Sequence, residues 1–343
     1  VRSRRQRQMC IRDSGYTSEL DSTLFYGNIT PVNKDRKLAI TINTYGEDVE
    51  SVGYKIRSLE DKSLIENTEV SGYQVTDNKI NVTLNIKNLL DTGKEYALEV
   101  VLKTKKHDAV YYYTRIMYGT DYDLQKKLDF VRDFNACTYD STRLKDIGGY
   151  LETSSVGDNT NYGKVNINCS LSQIGWGDLE PYIESEITPE IISINDDVAI
   201  IRLDYRVGAA NDYSSSDTYN VNEYYRIRQT NSGFYLLNFE REMNQVFDAK
   251  NDLTSSAKIN LGINSSTYVN CTSDEKGIYT YFVNQGSLWC FSSSSQTFTR
   301  VFSFRGEETD SVREDYDAHN IKIMKIEDLS LIHISEPTRH LRI

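Results

Sequence analysis

Short runs in which apolar and polar residues alternate one for one recur along this chain, and that period of two restricts its fold more than any other feature. Lys37 to Thr44 alternates Leu38, Ile40 and Ile42, and Val52 to Ile56 and Ile80 to Ile86 keep the same beat. Successive side chains of an extended backbone point to opposite faces, so these runs predict half-buried antiparallel strands separated by polar turns. Twenty-five tyrosines beside only four prolines fit strands better than helical bundles or disorder. The expected fold class is mainly β.

The two ends do not share this character. Residues 4–14, running Arg4-Arg-Gln-Arg-Gln-Met-Cys-Ile-Arg-Asp-Ser14, are basic in a chain of net charge −11 and lack the apolar stretch of a signal peptide. The string ATG-TGT-ATA-AGA-GAC-AG encodes Met9 to Asp13 and opens Ser14. Its reverse complement, CTG-TCT-CTT-ATA-CAC-AT, encodes Leu329 to His333 and opens Ile334. The two termini are thus encodable as one inverted repeat. That string resembles the mosaic end of Tn5 transposase sequencing adapters, and the flanks Arg4 to Gln8 and Ser335 to Arg339 resemble the adapter arms.

This resemblance implies that 1–14 and 329–343 are adapter-derived tails, expected to add nothing to the packed core. The natural sequence is then about 15–328, open at both ends, and any leader or anchoring helix would precede Gly15. Removing the tails takes away seven arginines and two acids, leaving 32 basic against 48 acidic residues, net −16. Such a balance argues against nucleic acid or an anionic membrane surface as partner. Four cysteines remain, Cys137, Cys169, Cys271 and Cys290, without C-x-x-C spacing. They predict neither a zinc ribbon nor a disulfide scaffold; most are expected to be buried, with a pairing of Cys169 or Cys271 left open.

Within 15–119, the informative segment is Leu90-Asp-Thr-Gly93-Lys-Glu-Tyr96-Ala-Leu98-Glu-Val100. It resembles the L-x-x-G-x-x-Y-x-L segment of fibronectin type III and related immunoglobulin-like sandwiches, though it lacks the usual proline before the glycine and an obvious early tryptophan. The resemblance implies a turn at Gly93 and a tyrosine corner, with the Tyr96 hydroxyl bonded to upstream backbone and Leu98 and Val100 facing the core. An ordinary turn in another all-β domain is the alternative.

From 120 the period changes. Thr120 to Asp123 can cap a helix carrying Leu124, Leu128, Val131 and Phe134 or Asn135 at helical spacing. A second helix fits Ser141 to Leu151, weakened by Gly148-Gly149. Residues 120–152 are expected to form a helical hairpin that connects two β units, or an amphipathic partner-binding element.

Alternation returns over 153–328, with Val165, Ile167, Cys169 and Leu171 on one face of a strand. Further on stand Val198 and Ile200, with Ile201, Leu203, Tyr205 and Val207 opposite. Two stretches are alike. Tyr224 to Phe247 and Ile278 to Phe302 each carry strand, N-x-G turn, strand, polar turn, strand, with Asn231 to Gly233 and Asn284 to Gly286 at the turns. A repeat near 50 residues is the length of a propeller blade. The second copy resembles blade sequences of TolB-like bacterial propellers, which implies an incomplete β-propeller and equivalent places for Gly233 and Gly286; a large irregular β-domain is the alternative. On this reading Asn320 to Glu327 opens a further blade.

No HExxH, G-x-S-x-G, P-loop or G-x-G-x-x-G motif is present, and only His107 and His319 lie outside the tails. No cofactor and no catalytic residue is indicated. The densest polar cluster runs from Arg305 to Asn320, where Asp315, Asp317 and His319 are weak candidates for a divalent cation. The loop lacks the D-x-D-x-D-G order of a calcium hand, so a solvated acidic loop is the plainer expectation. The resemblances together imply a fragment of a non-catalytic extracytoplasmic binding or scaffolding protein of the bacterial cell envelope. It would be membrane-anchored or secreted, with a protein or glycan partner. The alternative is a fragment of a hydrolase whose catalytic residues lie outside it.

Overall fold

The computed structural model describes residues 15–25, 27–44, 46–119, 122–210, 216–250, 253–255, 258–262, 269–303, 321–327 and 331–335. It is mainly β. The first eight strands are β1 (Ile29–Val32), β2 (Lys37–Asn43), β3 (Val49–Ser58), β4 (Leu64–Val70), β5 (Gln74–Thr76), β6 (Lys79–Asn85), β7 (Glu95–Thr104) and β8 (Val110–Tyr118). They form a five-stranded sheet ordered β1-β8-β7-β3-β4 and a three-stranded sheet ordered β2-β6-β5. Only the β1–β8 pairing is parallel within these two sheets.

The alternation read from the sequence sets what fills the space between them. Leu38, Ile80, Val82 and Leu84 of the smaller sheet share one core with Val52, Tyr54, Ile56, Leu98 and Val100 of the larger. Gly93 turns the chain at φ +78°, and the buried Tyr96 hydroxyl accepts a bond from the Asp91 backbone N–H at 2.8 Å. Tyr96 thus ties the start of β7 to the turn before it.

The second unit comprises α1 (Leu124–Thr138), β9 (Lys164–Asn166), α2 (Leu171–Ile174), β10 (Tyr182–Ile183), β11 (Thr188–Ile194), β12 (Val198–Ala210), β13 (Ser216–Thr230) and β14 (Gly233–Gln245), and all but the exposed β10 contribute to its core. The sheet runs β10-β12-β13-β14-β9, with β11 also pairing β12. Helix α1 is packed into this core. Leu124, Val131, Phe134 and Cys137 enter the same core as Ile201, Tyr225 and Phe239, because an amphipathic stripe buries its apolar side on the nearest apolar sheet face. Ile29 and Met117, from β1 and β8, join this core too, so the two units meet there.

Local expectations shift in physically intelligible ways. Asp123 adopts φ +46° and makes no side-chain cap; its carboxylate goes to Lys126 Nζ and Gln229 Nε2 instead. The second predicted helix is a 3-10 helix over Leu144–Tyr150, as suits a short segment holding two adjacent glycines. The strand expected from Val165 to Leu171 ends at Asn166. There the Asn166 side chain accepts from the Asn168 N–H, and Ser170 caps α2 through the Gln173 N–H. Polar side chains that bond nearby backbone outcompete the alternation.

Beyond a short β15 (Thr254–Ser255) and β16 (Lys258–Ile259) pair, β17 (Cys271–Ser273), β18 (Tyr279–Asn284), β19 (Ser287–Ser292) and β20 (Thr297–Ser303) form a four-stranded antiparallel meander. Phe247 lies edge-on to Phe282, Trp289 and Phe298 with ring centres 5.6, 4.9 and 5.6 Å away. Tyr281 and Leu288, with Ile321 and Ile323, form a separate small cluster. Strand β21 (Lys322–Glu327) pairs antiparallel with β22 (Leu331–Ser335).

The two N-x-G turns are not equivalent. In the first, Thr230 pairs with Gly233, so Asn231 and Ser232 make the turn and Gly233, at φ +136°, opens β14. In the second, Asn284 pairs with Ser287, and Gln285 and Gly286 make the turn at φ +48° and +73°, the signs that a type I′ hairpin requires. The motif is shifted by one residue between hairpins, and the strands around it differ: β13 spans 15 residues beneath a helix, whereas β18 spans six.

Candidate binding face

Strands β12, β13 and β14 alternate over most of their length, with a bulge where Arg226 and Ile227 meet Asn238 and Leu236, so the six-stranded sheet has two unlike faces. Toward α1 point Ile201, Leu203, Tyr205, Val221, Glu223, Tyr225, Phe239, Arg241 and Met243, all buried. The other face carries Arg202, Asp204, Asn222, Tyr224, Asn238, Glu240 and Glu242, all half-buried.

On that open face Asn222, Tyr224, Asn238, Glu240 and Glu242 line a groove of about 380 Å³. Register fixes their arrangement: Asn222 stands opposite Glu242, Tyr224 opposite Glu240, and Arg226 opposite Asn238. The Asn222 amide donates to Asp204 Oδ1, and Asn238 Nδ2 donates to Glu240 Oε1 at 3.1 Å. At the rim, Arg202 pairs with Glu190 and, at 2.9 Å, with Asp204, while Lys164 Nζ lies 3.6 Å from Glu242. Donors, acceptors and an aromatic ring converge on one concave surface.

Directly beneath lies a buried polar network. Glu223 and Arg241 are cross-strand partners and are both fully buried, with Nη1 and Oε1 3.9 Å apart. The Glu223 carboxylate accepts from Tyr225 Oη at 2.6 Å, Asn135 Nδ2 at 2.8 Å and Tyr205 Oη at 3.0 Å. Tyr139 Oη extends the chain, 2.9 Å from Tyr205 Oη. Arg241 donates to the Ile174 and Gln173 carbonyls at 2.9 and 3.1 Å, and its guanidinium stacks 3.4 Å from the centre of the Trp176 ring. Burial, then the neighbouring Glu223 charge, pushes the Tyr205 and Tyr225 hydroxyls far above their ordinary range, so they stay protonated donors.

Each buried residue alternates with a groove residue: Asn222, Glu223, Tyr224 on one strand and Glu240, Arg241, Glu242 on the other. The network therefore lies under the strand pair on whose register the groove depends; Glu223 is fully engaged in it, while Arg241 Nε and Trp176 Nε1 are buried without a hydrogen-bond partner. A comparable tie orients α1, where the buried Lys127 reaches the Asn195 and Asp196 carbonyls at 2.6 and 2.8 Å. Desolvation lowers the Lys127 pKa, with Asp123, Asp196 and Asp197 opposing the shift.

The weak cation candidates Asp315, Asp317 and His319 lie outside the described residues, as does the acidic loop 307–317. Among the described residues no group of three or more His, Cys, Asp or Glu side chains is placed to hold a metal ion. Gly93 and Tyr96 occupy the turn and corner of the first unit, and Gly233 and Gly286 the two hairpins, all away from the groove. The four described cysteines are free thiols, so the pairing left open for Cys169 or Cys271 does not form; Cys169 Sγ instead lies 3.3 Å from the Asp158 carbonyl. No helix among the described residues is long and apolar enough to cross a membrane.

Sequence reasoning did not single out the groove residues. Their signal was present in the polar half of the alternation on β13 and β14, which a hairpin register turns into one surface. Compared with known proteins, the chain matches no protein-family model and no curated protein.

Proposed function

We propose that this chain is part of a non-catalytic, extracytoplasmic binding or scaffolding protein of the bacterial cell envelope, and that it recognises its partner on the open face of the six-stranded sheet. The groove lined by Asn222, Tyr224, Asn238, Glu240 and Glu242 carries this reading. Polar groups held in register by a rigid support bind with little ordering cost. The first unit serves as a spacer of the fibronectin type III or immunoglobulin-like kind. Its support is the Tyr96 bond to Asp91 and the division into β1-β8-β7-β3-β4 and β2-β6-β5 sheets.

The propeller reading is retained for β17 to β20 alone, whose short-stranded meander has the form of a blade. Residues 1–14 and 329–343 are proposed to be translated adapter sequence, on the strength of the inverted repeat. A genomic locus that encodes unrelated residues at both ends would support this, and one that encodes these tails would refute it.

The binding reading is tested by sedimenting the full chain with bacterial envelope fragments. Retention should fall strongly when Tyr224→Ala, Glu240→Gln and Glu242→Gln are combined. No retention, or retention unchanged by these substitutions, would refute it.

A further inference from the structure

We infer that the groove is a subsite for an uncharged sugar ring, an inference that rests on the binding reading above and names its ligand class. Each asparagine amide has two N–H hydrogens and a carbonyl oxygen. Asn222 spends one hydrogen on Asp204, and Asn238 spends one on Glu240, so each retains a second donor and an acceptor for a ligand. Glu240 and Glu242 add carboxylate oxygens that accept hydroxyl protons, and Tyr224 adds a ring and a hydroxyl. Mixed donors and acceptors beside an aromatic ring match a molecule with many hydroxyls and an apolar C–H face.

Spacing agrees. Glu240 and Glu242 are two apart on one strand face, so their backbones stand about 6.6 Å apart, comparable to the span of a single pyranose ring. Tyr224 lies directly across from Glu240 and Asn222 directly across from Glu242, which closes the frame on its second side. A volume of about 380 Å³ suits a small cyclic molecule and lies at the lower end of the range for ligand sites.

Charge narrows the class. Two carboxylates in the lining repel phosphate, sulfate and uronate groups. Calcium and magnesium demand about six oxygen ligands, and among the described residues no group of three or more His, Cys, Asp or Glu side chains is placed to hold any metal ion. A lysine-rich peptide would use the carboxylates but would leave both amides and the ring without a role. The sugar uses all five side chains.

The test uses the full chain and saturation-transfer NMR with hexamers of β-1,4-glucose, β-1,4-N-acetylglucosamine and α-1,4-glucose, with a galacturonate hexamer and hexalysine as contrasts. At least one neutral hexamer should show transfer. Its Kd should rise about tenfold or more in Tyr224→Ala and in Glu240→Gln, the loss expected for one stacking or charge-assisted contact. In Val75→Ala, on an exposed position of β5 in the first unit, it should stay unchanged. All variants alter exposed or half-buried positions, and unchanged melting temperatures confirm that they fold.

The sugar assignment is overturned if no neutral hexamer binds at millimolar concentration, or if Tyr224→Ala leaves binding intact. It is also overturned if hexalysine binds and Glu240→Gln abolishes that binding. The last result, or groove-dependent retention on envelope fragments without sugar binding, would overturn the sugar while leaving the binding face standing.

Discussion

Glu223→Ala should be among the most damaging single substitutions in the second unit. The carboxylate is fully buried and accepts three hydrogen bonds, from Tyr225, Asn135 and Tyr205, while sitting 3.9 Å from the equally buried Arg241. Removing one partner of a buried ion pair leaves an uncompensated charge and costs about 3–5 kcal/mol. The two carbonyls that Arg241 also contacts offset part of this, and the stranded hydroxyls and amide add to it. A net loss of about 4 kcal/mol would lower the melting temperature by roughly 8–16 °C for a unit of this size.

Replacing both charges, Glu223→Gln with Arg241→Met, should cost far less than the sum of the single losses, because no lone charge remains. Urea denaturation of the unsubstituted chain, Glu223→Gln, Arg241→Met and the double variant gives the double-mutant cycle. A Glu223→Ala cost under about 1 kcal/mol, or strictly additive effects, would refute the view that this network holds the sheet register beneath the groove.

Further expectations follow from individual residues. Tyr96→Phe removes the hydroxyl that accepts the Asp91 N–H and should cost about 1 kcal/mol in urea denaturation; no change would sever the corner from the stability of the first unit. Burial raises the pKa of Tyr54, Tyr113, Tyr139, Tyr205 and Tyr225 above the unfolded value near 10. Above pH 10 the unfolded chain sheds protons that the native chain keeps, so stability, full below that pH, declines as pH rises. Absorbance at 295 nm should then show a late tyrosine transition coincident with unfolding, and its absence would contradict the burial. In alkylation followed by peptide mass spectrometry, the exposed Cys271 should react before the buried Cys137 and Cys169, and burial also pushes the Cys137 thiol up. Equal rates would count against the two cores.

Strands were legible because a period of two maps directly onto a sheet with one wet and one dry face. Leu38, Val82, Leu98 and Ile201 fall on the dry faces that the alternation indicates. Tyr96 was legible because its bond lies within six residues of chain. The role of α1 was not, since an amphipathic stripe records that a helix is buried without recording against what. Glu223 and Arg241 were opaque for a related reason: charged residues on the dry face break the pattern, and only the β13–β14 register shows that they face each other. The groove depends on that same register. The one-residue offset between the two N-x-G turns likewise follows from strand pairing, which identical turn residues do not specify.

Carboxyl and tyrosyl footprinting of the full chain, with and without bacterial envelope fragments, measures directly where the partner sits. Glu240, Glu242 and Tyr224 should be protected on binding, with Glu69, exposed on β4 of the first unit, unprotected. Protection confined to other surfaces, with those three groove residues labelled as fully as in the free chain, would contradict this placement.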